Sequence, residues 1–234
     1  MSEGTLVNSQ SAYDVLTQLK GQQASKYATD KAVAQVTKVG DWVPYLGLMQ
    51  ASSNDCKEHG FPIGHFALCR NRKKIDIGKS IIALMLSWRP KAMIYSPAVK
   101  SYYNPESDIF KKVEVDSLQP QSSRGFGPEF LLWLPDIEGG LFATLFFGNA
   151  TGRVEAPNLL AAFERGELPC RLTSELIKDK KKNTSWHGVR HAKYEIDITN
   201  MPPVDTLNVR LEGFRNPPES EEEPAEEASG SERG

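Results

Sequence analysis

The sequence predicts a mainly β domain with one clear helix. Three observations predict it. Short apolar or alternating runs recur from Phe61 onward, separated by turn-forming residues. One stretch within the body, Pro157–Arg165, reads as a clear helix, with its apolar residues at helical spacing. The two ends of the chain differ in composition from the middle: residues 1–40 are rich in Gln, Ser, Ala and Lys, and residues 216–234 are rich in Glu.

Taken in order, residues 1–40 read as an N-terminal arm, mobile or loosely docked. Tyr13, Val15, Leu16 and Leu19 suit one short amphipathic helix, and Ser25–Val36 suits a second. The packed body is expected over residues 41–215. It begins where Trp42, Tyr45, Leu46 and Leu48 appear together. Phe61–Cys69 and Lys74–Lys79 read as a hairpin around Arg70–Lys73. Ile81–Trp88 is a buried strand, extended past Pro90 by Lys91–Tyr95. Phe130–Leu134 and Leu141–Phe147 are two more strands, joined by a turn at Asp136–Gly140. In the helix Pro157 suits the first turn, Leu159, Leu160 and Phe163 form the apolar stripe, and Gly166 ends it. Arg171–Ile177 and Tyr194–Ile198 alternate as strands, and Leu207–Leu211 suits a last short one. From Asn216 the composition does not offset the entropy of folding, so a disordered acidic tail is expected.

From Ile81 the order is therefore strand, long loop, strand, turn, strand, helix, strand, loop, strand. Five strands with a helix between the third and fourth is the order of an OB-fold, an antiparallel β-barrel. In that fold the loops joining strands 1–2 and 4–5 grip oligonucleotides. A β-sandwich with an inserted helix is the rival architecture.

Charge distribution says more than total charge. The formal net charge is −2 over 234 residues, but residues 216–234 hold seven Glu against one Arg. The remaining chain is therefore positive, and its excess lies between Phe61 and Arg215. Three cysteines (Cys56, Cys69, Cys170) and a polar N-terminus argue against a secreted disulfide scaffold, and the longest clearly apolar run, Ile81–Leu86, is too short to span a bilayer. The expected compartment is the cytoplasm.

Two segments interleave cations with aromatic residues. The long loop Ser96–Glu129 carries Lys100, Tyr102, Tyr103, Phe110, Lys111, Lys112, Arg124 and Phe126, and the adjoining strand end adds Trp88, Arg89, Lys91 and Tyr95. Lys178–Lys193 carries Lys180, Lys181, Lys182, Trp186 and Arg190. Single-strand binders need cations that follow phosphates and aromatic faces on which bases stack. Both segments fall where the OB order requires its binding loops. The alternative for each aromatic residue is a place in the core, and for each lysine a solvated surface.

A basic OB-like body followed by a Glu-rich C-terminal tail resembles the single-stranded DNA-binding proteins of phages and bacteria. The resemblance is architectural and covers roughly residues 61–234. It implies coating of single-stranded DNA in replication or recombination, recruitment of partner enzymes through the tail, and self-association. Tails of that family usually finish on an aromatic residue, whereas this chain ends Ser231-Glu232-Arg233-Gly234.

Cys56, His59, His65 and Cys69 give a C-x2-H-x5-H-x3-C set of zinc ligand types. On a straight strand, however, His65 and Cys69 would stand about 13 Å apart, too far to share one ion. No phosphate-binding glycine loop, H-E-x-x-H or G-x-S-x-G is present, so neither a cofactor nor an enzymatic activity is expected. The expected function is binding of single-stranded DNA with little sequence preference. The alternative is a structural or protein-interaction β-domain, such as a virion or scaffold component.

Overall fold

A computed structural model describes residues 6–7, 43–70, 73–96, 99–119, 123–179, 183–197 and 201–217. The elements in chain order are β1 (Leu6–Val7), β2 (Tyr45–Leu48), α1 (Asn54–His59), β3 (Phe66–Arg70), β4 (Lys73–Asp76), β5 (Ser80–Ile94), β6 (Lys100–Tyr102), α2 (Asp108–Asp116), β7 (Arg124–Leu134), β8 (Leu141–Phe146), α3 (Ala150–Glu164), β9 (Pro169–Asp179), β10 (Thr184–Lys193), β11 (Ile196–Asp197) and α4 (Val204–Arg215). The chain is mainly β, as expected. None of its described helices is long and apolar enough to cross a membrane.

One sheet dominates, in the order β10-β9-β5-β7-β8-β2-β3-β4, with β6 added beside β5. Its strands pair antiparallel except for β2 and β8, which run parallel. β5 organises the sheet. Its first residues pair with β9 (Ser80↔Thr173 to Leu84↔Pro169), its last with β6 (Ala92↔Tyr102 to Ile94↔Lys100), and β7 runs along its other side. The ladder slips between Met85 and Ser87, a bulge that sharpens the local twist.

Residues alternate between two cores along β5 and β7. Ile81, Ala83, Met85, Phe130, Leu132 and Leu134 face one core, closed by Ala156, Leu159 and Ala162 of α3. Leu84, Leu86, Leu131 and Trp133 face the other, closed by Leu207, Leu211 and Phe214 of α4. Burial on both faces explains why these strands read as continuous apolar runs in the sequence. The three α4 side chains, at i, i+4 and i+7, each contribute about 1.5–3 kcal/mol by leaving water. A smaller core at the far end of β5 joins Ala92 to Phe110 and Val113 of α2, with Tyr102 and Phe126 packed against it.

Several expectations are corrected. The sheet is not closed by backbone ladders, so a closed barrel does not describe it. Its flanks approach each other where the Gln50 side-chain amide, just past β2, exchanges hydrogen bonds with the backbone of His187 on β10 (2.8 and 2.9 Å). Four α-helices of six residues or more are described, rather than one. Ser96–Glu129 is not a loop, because it contains β6, α2 and the first residues of β7. The last strand of the main sheet is Thr184–Lys193. Ile196–Asp197 pairs instead with Leu6–Val7 in a separate two-stranded ladder. Leu207–Leu211 is helical. Pro157 lies inside α3, where it removes one helix hydrogen bond, and not in its first turn. Gly166, with φ 77°, ends α3 as expected. The expectations for the N-terminal arm and the acidic tail lie outside the described residues, apart from Leu6–Val7 and Asn216–Pro217.

Candidate nucleic-acid interface

The two cationic segments occupy opposite ends of β5. Ser174 N–H donates to the Lys79 carbonyl (2.9 Å), and β9 then continues to Asp179, so the β9–β10 hairpin projects beyond the start of β5. β6 and α2 lie at its other end. The ends of a straight strand of this length would be roughly 46 Å apart at ~3.3 Å per residue, and the bulge shortens that span.

At the β6–α2 end, the expected binding residues divide by face. Arg89, Lys91 and Tyr103 come together with Glu129, on the side that carries α4. Arg89 Nε donates to Glu129 Oε2 (2.8 Å), and its Nη1 donates to the Phe214 carbonyl at the end of α4. Its guanidinium lies between two rings, 3.7 Å from the centroid of Tyr103 and 4.1 Å from that of Phe214. Lys91 Nζ donates to Glu129 Oε1 at 2.7 Å. Tyr102 and Phe126 turn to the opposite side and pack with α2, Phe126 meeting Phe110 edge to face at 5.5 Å. Trp88 remains 38 % exposed. Lys100, Lys111 and Lys112 are exposed, Lys111 within 3.4 Å of Glu106, and Arg124 is held against Ser123 at 2.7 Å.

α2 exists for local reasons. Ser107 caps it by accepting from Phe110 N–H (3.3 Å), and Phe110 and Val113 form the buried stripe. Its outer surface leaves Val115 and Leu118 exposed at 61 and 69 %, beside Lys111 and Lys112.

At the hairpin end, Trp186, His187 and Arg190 lie on β10, while Lys180, Lys181 and Lys182 lie outside the described residues. His187 anchors the hairpin to the body. Gln50 holds its backbone, and its Nδ1 lies 3.1 Å from Ser174 Oγ. Gly64 packs so closely against the ring that a Cβ there would stand 2.4 Å from it. Partial burial, and secondarily Lys79, hold the imidazole below its ordinary value of 6.5. Gly188 and Arg190 face α3. Arg190 pairs with Glu155, a buried carboxylate, and approaches Glu175 at 3.4 Å. Trp186 is half-buried, and its Nε1 finds no acceptor among the described residues.

Cys56, His59, His65 and Cys69 do not assemble, and no group of three or more potential metal ligands forms among the described residues. His65 Nδ1 instead lies 2.9 Å from Asp76, and Cys69 is buried with Met49 and Ala67.

Sequence reasoning missed Glu129 and Glu155, the carboxylates that hold Arg89, Lys91 and Arg190. The clue for Glu129 was an acid at the edge of the apolar run Phe130–Leu134. Comparison with known proteins gives no match: no protein-family model, no curated protein and no solved structure is significantly similar to this chain.

Proposed function

We propose that this chain is a non-enzymatic, cytoplasmic protein that binds single-stranded DNA with little sequence preference, in phage-type replication or recombination. The observation that carries the reading is the placement of the two cation-and-aromatic segments at the two ends of one strand, β5, where a bound strand can run from one to the other. The element order β5-β7-β8-α3-β9-β10, with β9 beside β5, supports an OB-like derivation whose two grip loops are these segments. Trp88 and Trp186 are the stacking candidates that keep some exposure, and Lys100, Lys111, Lys112 and the hairpin lysines supply the phosphate contacts. The acidic segment follows in sequence on Phe214, whose carbonyl Arg89 holds, and the proposed role of its seven Glu is to compete with phosphate for the basic residues. Recruitment of replication or recombination enzymes by the tail, and self-association, belong to the same reading.

A fluorescence titration with oligo-dT at several salt concentrations tests it, with the four tryptophans as the signal. Saturable quenching that weakens steeply with salt is expected. Absence of quenching at low salt removes the reading. Deleting Pro218–Gly234 should tighten binding, most at low salt, and equal affinities across the salt series would mean that the tail does not compete.

A second reading has its own observation. Val115, Leu118 and Val99 are exposed at 61, 69 and 66 %, while Arg89, Lys91, Tyr102 and Phe126 are engaged in internal packing and ion pairs. That pattern favours a structural or protein-interaction β-domain whose partner covers α2. It predicts no salt-dependent response to oligo-dT.

A further inference from the structure

Arg89, Lys91 and Glu129 place two cations against one carboxylate where α4 ends. Their side-chain exposures are 14, 11 and 3 %. Arg89 is compensated twice, by Glu129 Oε2 and by the Phe214 carbonyl, which sits at the negative end of the α4 dipole. Lys91 has only Glu129 Oε1. The other N–H donors of its ammonium have no acceptor among the described residues. Its charge faces aromatic rings, Phe146 at 5.0 Å and Tyr103 at 5.7 Å. Ring faces moderate a positive charge without accepting its hydrogen bonds. A net positive cluster so poor in acceptors and so far out of water is costly until an anion completes it.

We propose that Lys91, with Arg89 beside it, forms a subsite for one phosphate-type oxyanion. The oxyanion takes the free ammonium donors and neutralises the excess charge. The assignment rests on the single-stranded DNA reading for its natural occupant, one phosphodiester of the bound strand. Free phosphate offers the same chemistry.

The test compares the full chain with Glu129→Gln and Lys91→Met, heated in chloride or in inorganic phosphate at matched ionic strength. Glu129→Gln lowers stability in chloride whatever the cluster does. An oxyanion subsite lets phosphate replace the missing carboxylate, so half-maximal stabilisation of Glu129→Gln comes at about tenfold less phosphate than for the parent. Lys91→Met shows no phosphate-specific rise. Equal responses in all three overturn the subsite, because general salt exclusion acts alike on each. Should Glu129→Gln not fold, amide spectra of the parent decide. Saturable phosphate-dependent shifts centred on Lys91 and its neighbours support the subsite, and linear shifts spread over the surface overturn it.

Oligo-dT separates the occupants. With a phosphodiester at Lys91, the salt slope of Lys91→Met is shallower by roughly 0.7. An unchanged slope beside an intact phosphate response assigns the subsite to free phosphate. If the parent fails to bind oligo-dT but keeps that response, the subsite stands and the DNA reading falls. Normal DNA binding with equal phosphate responses leaves the DNA reading standing and removes the subsite.

Discussion

The β6–α2 region and the β9–β10 hairpin have similar side-chain chemistry but place it differently. At the β6–α2 end, Arg89 and Lys91 are internal. They share Glu129, lie against aromatic rings and tie β5 to β7 and α4. On the hairpin, Arg190 is pinned to α3 at the base, where His187 is also fixed, and the strand pair then runs outward past β5. Cations of the first kind hold a fold together, Arg89 through both Glu129 and the Phe214 carbonyl and Lys91 through Glu129 alone. On the hairpin strands Lys178 and Lys193 are exposed, and an exposed lysine costs little to place. Residue type and spacing in the sequence are therefore poor guides to which cations are drawn into the body, whereas the position of the nearest buried carboxylate marks them.

The largest expected effect tests the first half of that comparison. Glu129→Ala leaves two mostly buried cations without their shared carboxylate and should cost about 3–5 kcal/mol of stability. Urea unfolding measures it directly. A loss below about 1 kcal/mol would mean that water reaches the cluster and that Arg89 and Lys91 are not structural. Lys178 and Lys193, exposed on the hairpin strands, should show no comparable cost.

Trp186→Ala examines the boundary between the two kinds. The indole is half-buried, so the substitution should lower stability moderately. A base stacked on its exposed face adds about 1–3 kcal/mol to binding. The expected result is weaker binding of oligo-dT in a protein that still folds, with the salt slope unchanged because no charge is removed. Reduced stability with unaltered affinity would assign Trp186 wholly to packing within the body.

The next effect is smaller and belongs to the hairpin tip. Replacing Lys180, Lys181 and Lys182 together by Ala should flatten the salt slope by roughly 0.7 for each phosphate no longer neutralised, with stability within about 0.5 kcal/mol of the parent. An unaltered slope in a folded variant would move the protein-interaction reading ahead, since the hairpin would then have no nucleic-acid role.

Much of the sheet was legible in the sequence, because strands buried on both faces leave continuous apolar runs. Ile81–Trp88 and Phe130–Leu134 fall within observed strands, as does Arg171–Ile177, and Leu141–Phe147 overruns its strand by one residue. The errors lie where two periods fit the same residues. Leu207, Val209 and Leu211 alternate like a strand, yet Leu207, Leu211 and Phe214 are the helical stripe, and packing against Trp133 and Leu131 favours the helix. β10 was hidden because Trp186, His187, Gly188 and Arg190 put mixed chemistry on both faces, which leaves no alternation to read. α2 was overlooked although Ser107 begins it and Phe110 and Val113 give its spacing, because charged residues dominate its composition. The candidate site was legible in its residue types only. The ion pairs that withdraw Arg89, Lys91 and Arg190 into the body join residues 35 to 40 positions apart, and no local pattern announces them.

The smallest expected effect concerns His187, where the hairpin meets the body. Its imidazole is held below its ordinary 6.5 by partial burial, and Lys79 adds to this. In the unfolded chain the ring takes a proton near 6.5, whereas in the folded protein it stays neutral to a lower pH. As pH falls through that ordinary value, the unfolded state binds more protons than the folded one, and stability declines until the folded ring also protonates. Well above it both states are neutral, and the group contributes no pH dependence. His187→Gln should therefore remove a small acid-side decline in stability, while its neutral-pH value reports only the missing Ser174 Oγ interaction. Thermal unfolding of the parent and the variant between about pH 7.5 and about pH 5, in steps of about half a unit, measures the difference. Convergence of the two curves toward acid pH is the expected result. Parallel curves would show that the ring titrates freely at the base of the hairpin, and the rigid anchoring drawn from Gly64, Gln50 and Ser174 would have to be given up.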